Sequence, residues 1–106
     1  MMLPRLTVLN EQYAVRSVVG KVGPLDVTYL AWDLANEEQV IVREFLPVDH
    51  VTRDSDGLSI SPVSEEGKRL FGFGLDKFKR ESQVLSNLEH PNIIRLRDHF
   101  QQHGTA

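Results

Sequence analysis

Val40-Ile41-Val42-Arg43-Glu44-Phe45-Leu46-Pro47 reads as a strand buried on both faces that nevertheless carries a permanent charge. Alternation with period two sends Val40 and Val42 one way and Ile41, Arg43 and Phe45 the other, so Arg43 is placed among apolar side chains. A guanidinium there requires a carboxylate or a phosphate. The strongest carboxylate candidate is Glu81, on a predicted helix whose apolar positions Phe78, Leu85 and Leu88 make one stripe with Glu81 inside it. A lone carboxylate on a core-facing stripe is costly to bury unless paired, and a planar five-donor guanidinium is its best partner. The pattern therefore predicts an Arg43–Glu81 pair. The alternative is that Arg43 snorkels to the surface and meets Glu44 or water.

Working outward, Pro47 stops the strand, since it has no amide donor and restricts its predecessor. Upstream, Tyr13–Val19 and Val27–Trp32 are rich in β-branched and aromatic residues and read as two strands around the turn Gly20–Asp26. Asp33–Glu37 makes the next turn and Gln39–Phe45 the third strand, giving an antiparallel meander. Residues 1–12 show no strong period and are expected as a loosely docked N-terminal arm ahead of one domain, 13–106.

Downstream, Asp54-Ser55-Asp56-Gly57 between Val51–Arg53 and Leu58–Ile60 predicts a small hairpin with glycine in a left-handed position. The same acidic loop does not fit calcium, because Thr52 and Val63 fall on the first and last ligand positions. Ser64 followed by Glu65 and Glu66 predicts a helix N-terminus. Phe71-Gly72-Phe73-Gly74 is expected to loosen or break that helix, each helical glycine costing about 1 kcal/mol relative to alanine. A longer helix should run from Leu75 to Leu88. His90-Pro91-Asn92 ends it, Ile93–Phe100 alternates as a fourth strand, and Gln101–Gly104 turns.

The chain has 106 residues and is 41% apolar, enough for one modest core, with a net charge of −3. No long basic run is present, which argues against binding nucleic acid by charge. The absence of cysteine removes disulfides and thiolate metal sites and fits a reducing compartment. No membrane span or apolar leader is legible, so a soluble, cytoplasmic protein is expected. His50, His90, His99 and His103 have no metal-ligand spacing, and no nucleophile set is recognisable.

Together the segments resemble the N-terminal lobe of a protein kinase, in the form found in bacterial Ser/Thr kinases of eukaryotic type. Gly20–Gly23 with Thr28-Tyr29-Leu30-Ala31-Trp32-Asp33 looks like the glycine-rich loop and second strand. Val40-Ile41-Val42-Arg43 stands where the family has Val-Ala-Ile-Lys, Glu81 matches the helix glutamate, and His90–Arg95 matches the turn into the fourth strand. The resemblance implies an α+β fold, a twisted antiparallel sheet with a small hairpin insertion and a helix pair packed on it. In an active relative, loop amides cover the ATP phosphates, the strand lysine contacts them and the helix glutamate holds that lysine. Carried over residue by residue, the nucleotide-binding set is Val19, Gly20, Gly23, Thr28, Ile41, Arg43 and Glu81.

Three departures weaken that carry-over. Leu25 and Asp26 replace the loop's aromatic and its last glycine, which brings a carboxylate towards the phosphates, while Pro24 removes a donor amide. Ile41 replaces the alanine that roofs the adenine. Arg43 replaces the lysine and is not an equivalent phosphate ligand. The aspartates that act as base and metal ligand lie, in the family, on a C-terminal lobe absent from this chain, as is the fifth strand. The resemblance thus implies a pseudokinase with a regulatory or scaffolding role, whose partner is a C-lobe in cis or another protein. ATP and magnesium belong to a longer parent and are not expected to bind tightly here. Exposed sheet edges favour association, as a dimer, by strand exchange, or by closure of the fourth strand on the third. The alternative is the ATP-binding lobe of an active kinase, and a third reading is a stand-alone oligomeric binding module.

Overall fold

One four-stranded sheet and one long helix carry the architecture in a computed structural model that describes residues 2–20, 25–86 and 98–106. β1 (Val8–Leu9), β2 (Tyr13–Val18), β3 (Asp26–Asp33) and β4 (Glu38–Phe45) pair antiparallel in sequence order, as the meander requires. β5 (Val51–Arg53) and β6 (Ile60–Pro62) form a second, two-stranded sheet, and α1 (Glu65–Ser86) follows. The expected α+β arrangement is present.

Much of the core lies on one face of the large sheet. Tyr29 stands opposite Val42 and Ala31 opposite both Val15 and Val40, and Val15, Val27, Tyr29 and Ala31 are buried there. Leu3 and Leu9 join the same core, which corrects the expectation of a loosely docked arm. β1 pairs with β2 through Val8 opposite Ala14 and Leu9 opposite Tyr13. The Leu6 amide donates to the Val15 carbonyl at 2.7 Å, and the Leu3 amide donates to the Tyr29 hydroxyl at 3.2 Å. Leu3 is a single apolar position whose partner Tyr29 is distant in sequence, so no local period announces it.

β4 is not buried on both faces. Val40, Val42 and Glu44 turn towards the core, while Gln39, Ile41 and Arg43 turn outward, with Ile41 57% exposed. The alternation was assigned in the right phase, but the outward face lacks a covering layer along this stretch. At the end of the strand Phe45 is buried on the outward side by α1, its ring 5.6 Å from Phe71 and 5.5 Å from Phe78.

The turns follow their chemistry. Asp33, 1% exposed, ends β3 and accepts from the Ala35 and Asn36 amides at 3.0 and 3.2 Å, and from the Gln12 and Asn36 side chains at 2.9 and 2.8 Å. These donors, the Asn36 and Gln12 side chains foremost, hold its carboxyl down at about 2. The β5–β6 hairpin has Gly57 at φ +74°, and Asp56 accepts from the Leu58 and Ser59 amides at 2.8 Å. Those amides and the Ser59 hydroxyl likewise lower the Asp56 carboxyl to about 2.

Ser64 caps α1, its hydroxyl accepting from the Gly67 amide at 2.9 Å. The helix then runs without interruption through Phe71–Gly74, so a single helix replaces the expected pair. Packing overrides propensity here. A Cβ on Gly74 would lie 2.7 Å from the tip of the Phe45 ring, so the glycine is what lets helix and sheet approach.

The C-terminal segment closes the core from another side. Tyr13 stacks on Phe100 at 6.0 Å, and its hydroxyl donates to Asp98 at 3.1 Å. Gln102 and Thr105 exchange amide-to-carbonyl bonds of 3.0 and 3.1 Å around His103 and Gly104, both at positive φ, in the predicted turn. Thr105 then donates its hydroxyl to the Phe45 carbonyl at 2.6 Å, and the Phe45 amide donates to Ala106 at 2.8 Å. Of the expected fourth strand, 93–97 lie outside the described residues, with His90-Pro91-Asn92 and Leu88, and Asp98–Phe100 are irregular.

Candidate functional site

The outward face of β3 and β4 brings together several of the residues singled out by sequence. Thr28 stands opposite Arg43 and Leu30 opposite Ile41, and the Val19 amide donates to the Thr28 carbonyl at 2.8 Å, placing Val19 beside them. Gly20 follows at φ +67° with open space around it, a conformation that glycine adopts without steric cost. Gly23 lies outside the described residues. Facing this strip across an open cleft is α1, with Phe78 and Glu81.

The Arg43–Glu81 pair is not formed. Arg43 donates instead to the carboxylate of Asp26, and its guanidinium carbon lies 5.7 Å from the centre of the Phe78 ring. Glu81 is exposed. The register explains the outcome. Asp26 stands opposite Phe45 and Thr28 opposite Arg43, so Asp26 and Arg43 are diagonal neighbours on one face, within reach of a long side chain. Asp26 is delivered to Arg43 by the adjacent strand. Both groups remain in contact with water, at 55% and 30% side-chain exposure.

Two replacements that looked independent in the sequence therefore engage each other. A carboxylate at the end of the loop segment meets a guanidinium on the strand, on the face where the resemblance places a nucleotide. The sequence contained the signal, since the turn between Asp33 and Glu38 sets the β3–β4 register, but alternation within one strand cannot show a diagonal contact.

The buried charge of β4 is Glu44, which sequence reasoning considered only as a surface partner. Arg53 from β5 donates to both of its carboxylate oxygens at 2.8 and 3.1 Å, with side-chain exposures of 7% and 6%. The Tyr29 hydroxyl donates to the same carboxylate at 2.8 Å, and Arg53 also donates to the Leu58 carbonyl at 2.7 Å. Desolvation, reinforced by the Glu44 charge, pushes the Tyr29 phenol up. Burial opposes the charge on Arg53, yet the bonds to Glu44 and its attraction raise the guanidinium above its usual value. This network joins the small hairpin to the large sheet and belongs to the core.

Among the described residues no helix is long and apolar enough to cross a membrane. No protein-family model matches the chain, and no curated protein matches it. Among solved structures it is similar to the apo form of PpkA-294, a bacterial Ser/Thr kinase fragment, with a TM-score of 0.90 and 26% identity. The similarity covers 98% of this chain and 36% of that one, so the chain spans about a third of the length of its structural neighbour. The curled antiparallel sheet, the small second sheet and the single helix thus make up a protein kinase N-lobe-like fold.

Proposed function

We propose that the chain serves as a kinase-like N-lobe of the pseudokinase type, regulatory or scaffolding in role, with weak or no binding of ATP. The observation that carries this reading is the engagement of Arg43 by Asp26 while Glu81 stands apart. In an active kinase the strand cation is held by the helix glutamate and offered to the α- and β-phosphates. Here the cation is taken by a carboxylate from the neighbouring strand. Ile41 adds bulk to the surface that would roof an adenine. Leu70, Phe73 and Val84 of α1 are exposed and offer apolar surface to a C-lobe in cis or to a protein partner.

An amide chemical-shift titration with ATP, with and without magnesium, tests the reading at residues 19–20, 25–28 and 41–43. No localised shift at millimolar ATP in the folded protein is the expected result. Saturable shifts confined to those residues would overturn it in favour of a nucleotide-binding lobe whose catalytic C-lobe is not in this chain.

A further inference from the structure

We infer that Asp26 is a built-in anion, whose carboxylate occupies the Arg43 guanidinium and so closes this face to ligands bearing a phosphoryl group. The inference rests on the reading above and names the residue that enforces it. Four observations carry it.

Arg43 is the cation that the strand register delivers next to Thr28 and Ile41, on the open side of the sheet. Its partner is a carboxylate fixed by backbone pairing, since Asp26 opposite Phe45 begins β3 and the Leu46 amide donates to the Leu25 carbonyl at 2.8 Å beside it. The guanidinium also lies 5.7 Å from the centre of the Phe78 ring, an attraction that favours this orientation beside Asp26. Finally, both members of the pair are in contact with water, so the carboxylate is exchangeable and not locked in a core.

The chemistry is competitive. A phosphoryl oxygen and a carboxylate oxygen seek the same guanidinium N–H groups, and an incoming phosphate must both displace Asp26 and sit beside its negative charge. A second guanidinium on this face, Arg16, lies over the Trp32 ring at 5.1 Å. Trp32 is four residues along β3 from Thr28, roughly 13 Å at the usual strand rise, so Arg16 does not substitute for Arg43.

The test titrates the whole chain and its Asp26→Asn, Asp26→Ala and Asp26→Ala/Arg43→Ala variants with sodium tripolyphosphate, with metal-free ATP and with adenosine, following the amides of residues 25–28 and 41–43. Both single variants should bind tripolyphosphate at least about ten-fold more tightly than the wild type, the scale of removing one opposing charge at contact distance. The gain should vanish in the double variant, and adenosine should bind all four proteins alike. The isosteric Asp26→Asn carries the test if Asp26→Ala does not fold. Equal affinity of the wild type and the folded single variants would overturn the inference, as would a gain that survives loss of Arg43. Saturable binding of ATP and of adenosine alike by the wild type sinks the functional reading alone, provided only the single variants tighten tripolyphosphate; saturable wild-type binding of ATP without adenosine overturns both. A gain seen with adenosine as well would place the effect at the base and overturn the inference.

Discussion

Arg43 and Glu44 are consecutive residues of β4 that send opposite charges to opposite faces of the sheet, Arg43 to the open side and Glu44 into the core. Each finds its own partner, Asp26 for the first and Arg53 for the second. The stability at stake differs accordingly. Removing one partner of a buried pair typically costs about 3–5 kcal/mol, so Glu44→Ala should shift the denaturation midpoint far to lower urea. Glu81→Ala, on an exposed helix position, should stay within about 0.5 kcal/mol of the wild type. Chemical denaturation of the two variants decides the matter, and a reversal of their order would restore the cross-cleft strut.

Two helical glycines should respond to alanine with opposite signs. Gly72 has nothing within 4 Å of an added Cβ, so Gly72→Ala should stabilise by about 0.5–1 kcal/mol through helix propensity. At Gly74 the added Cβ would meet the Phe45 ring at 2.7 Å, and overpacking there should cost about 1–3 kcal/mol despite the same propensity gain. Thermal unfolding of both variants reads the signs directly.

Acid stability should depend on Asp33. Its folded carboxyl, at about 2, lies below the ordinary 3.8, so the unfolded chain takes up the proton first. Its contribution is present above pH 3.8 and is lost as the pH falls towards 2. Urea midpoints measured from pH 7 to 2.5 should fall across that window, and Asp33→Asn should flatten part of the decline. An unchanged profile in the variant would remove Asp33 from the account.

The N-terminal residues should contribute to stability through Leu3. Buried leucines cost about 2–5 kcal/mol when cut to alanine, and Leu3→Ala should fall in that range. Leu6 is exposed, and Leu6→Ala should change little by the same measurement.

Elements with strong local signatures were legible in the sequence: the meander, the hairpin with its left-handed Gly57, the Ser64 cap and a turn through His103 and Gly104. Relationships between elements were less so. The uninterrupted helix depends on Phe45 filling the space left at Gly74, and no propensity scale contains that contact. The burial of Glu44 depends on Arg53 arriving from another sheet. At the candidate site, alternation put Ile41 and Arg43 on one face, but the partner of Arg43 was sought at helical distance instead of one strand away. A charge among apolar neighbours announces that it needs a counter-charge without saying from which direction.

The C-terminal turn also bears on the order of assembly. Thr105 bonds to Phe45, His103 accepts from the Ile60 amide, and Phe100 stacks on Tyr13, so segments separated by 40 to 90 residues must meet before the core is sealed. Non-local closures of this kind form slowly because chain entropy is lost before any contact repays it. During synthesis from the N-terminus the meander can pair early. It must then wait with one side open until residue 105 clears the ribosome, the interval in which the nascent sheet is most exposed to pairing with a neighbour's strand.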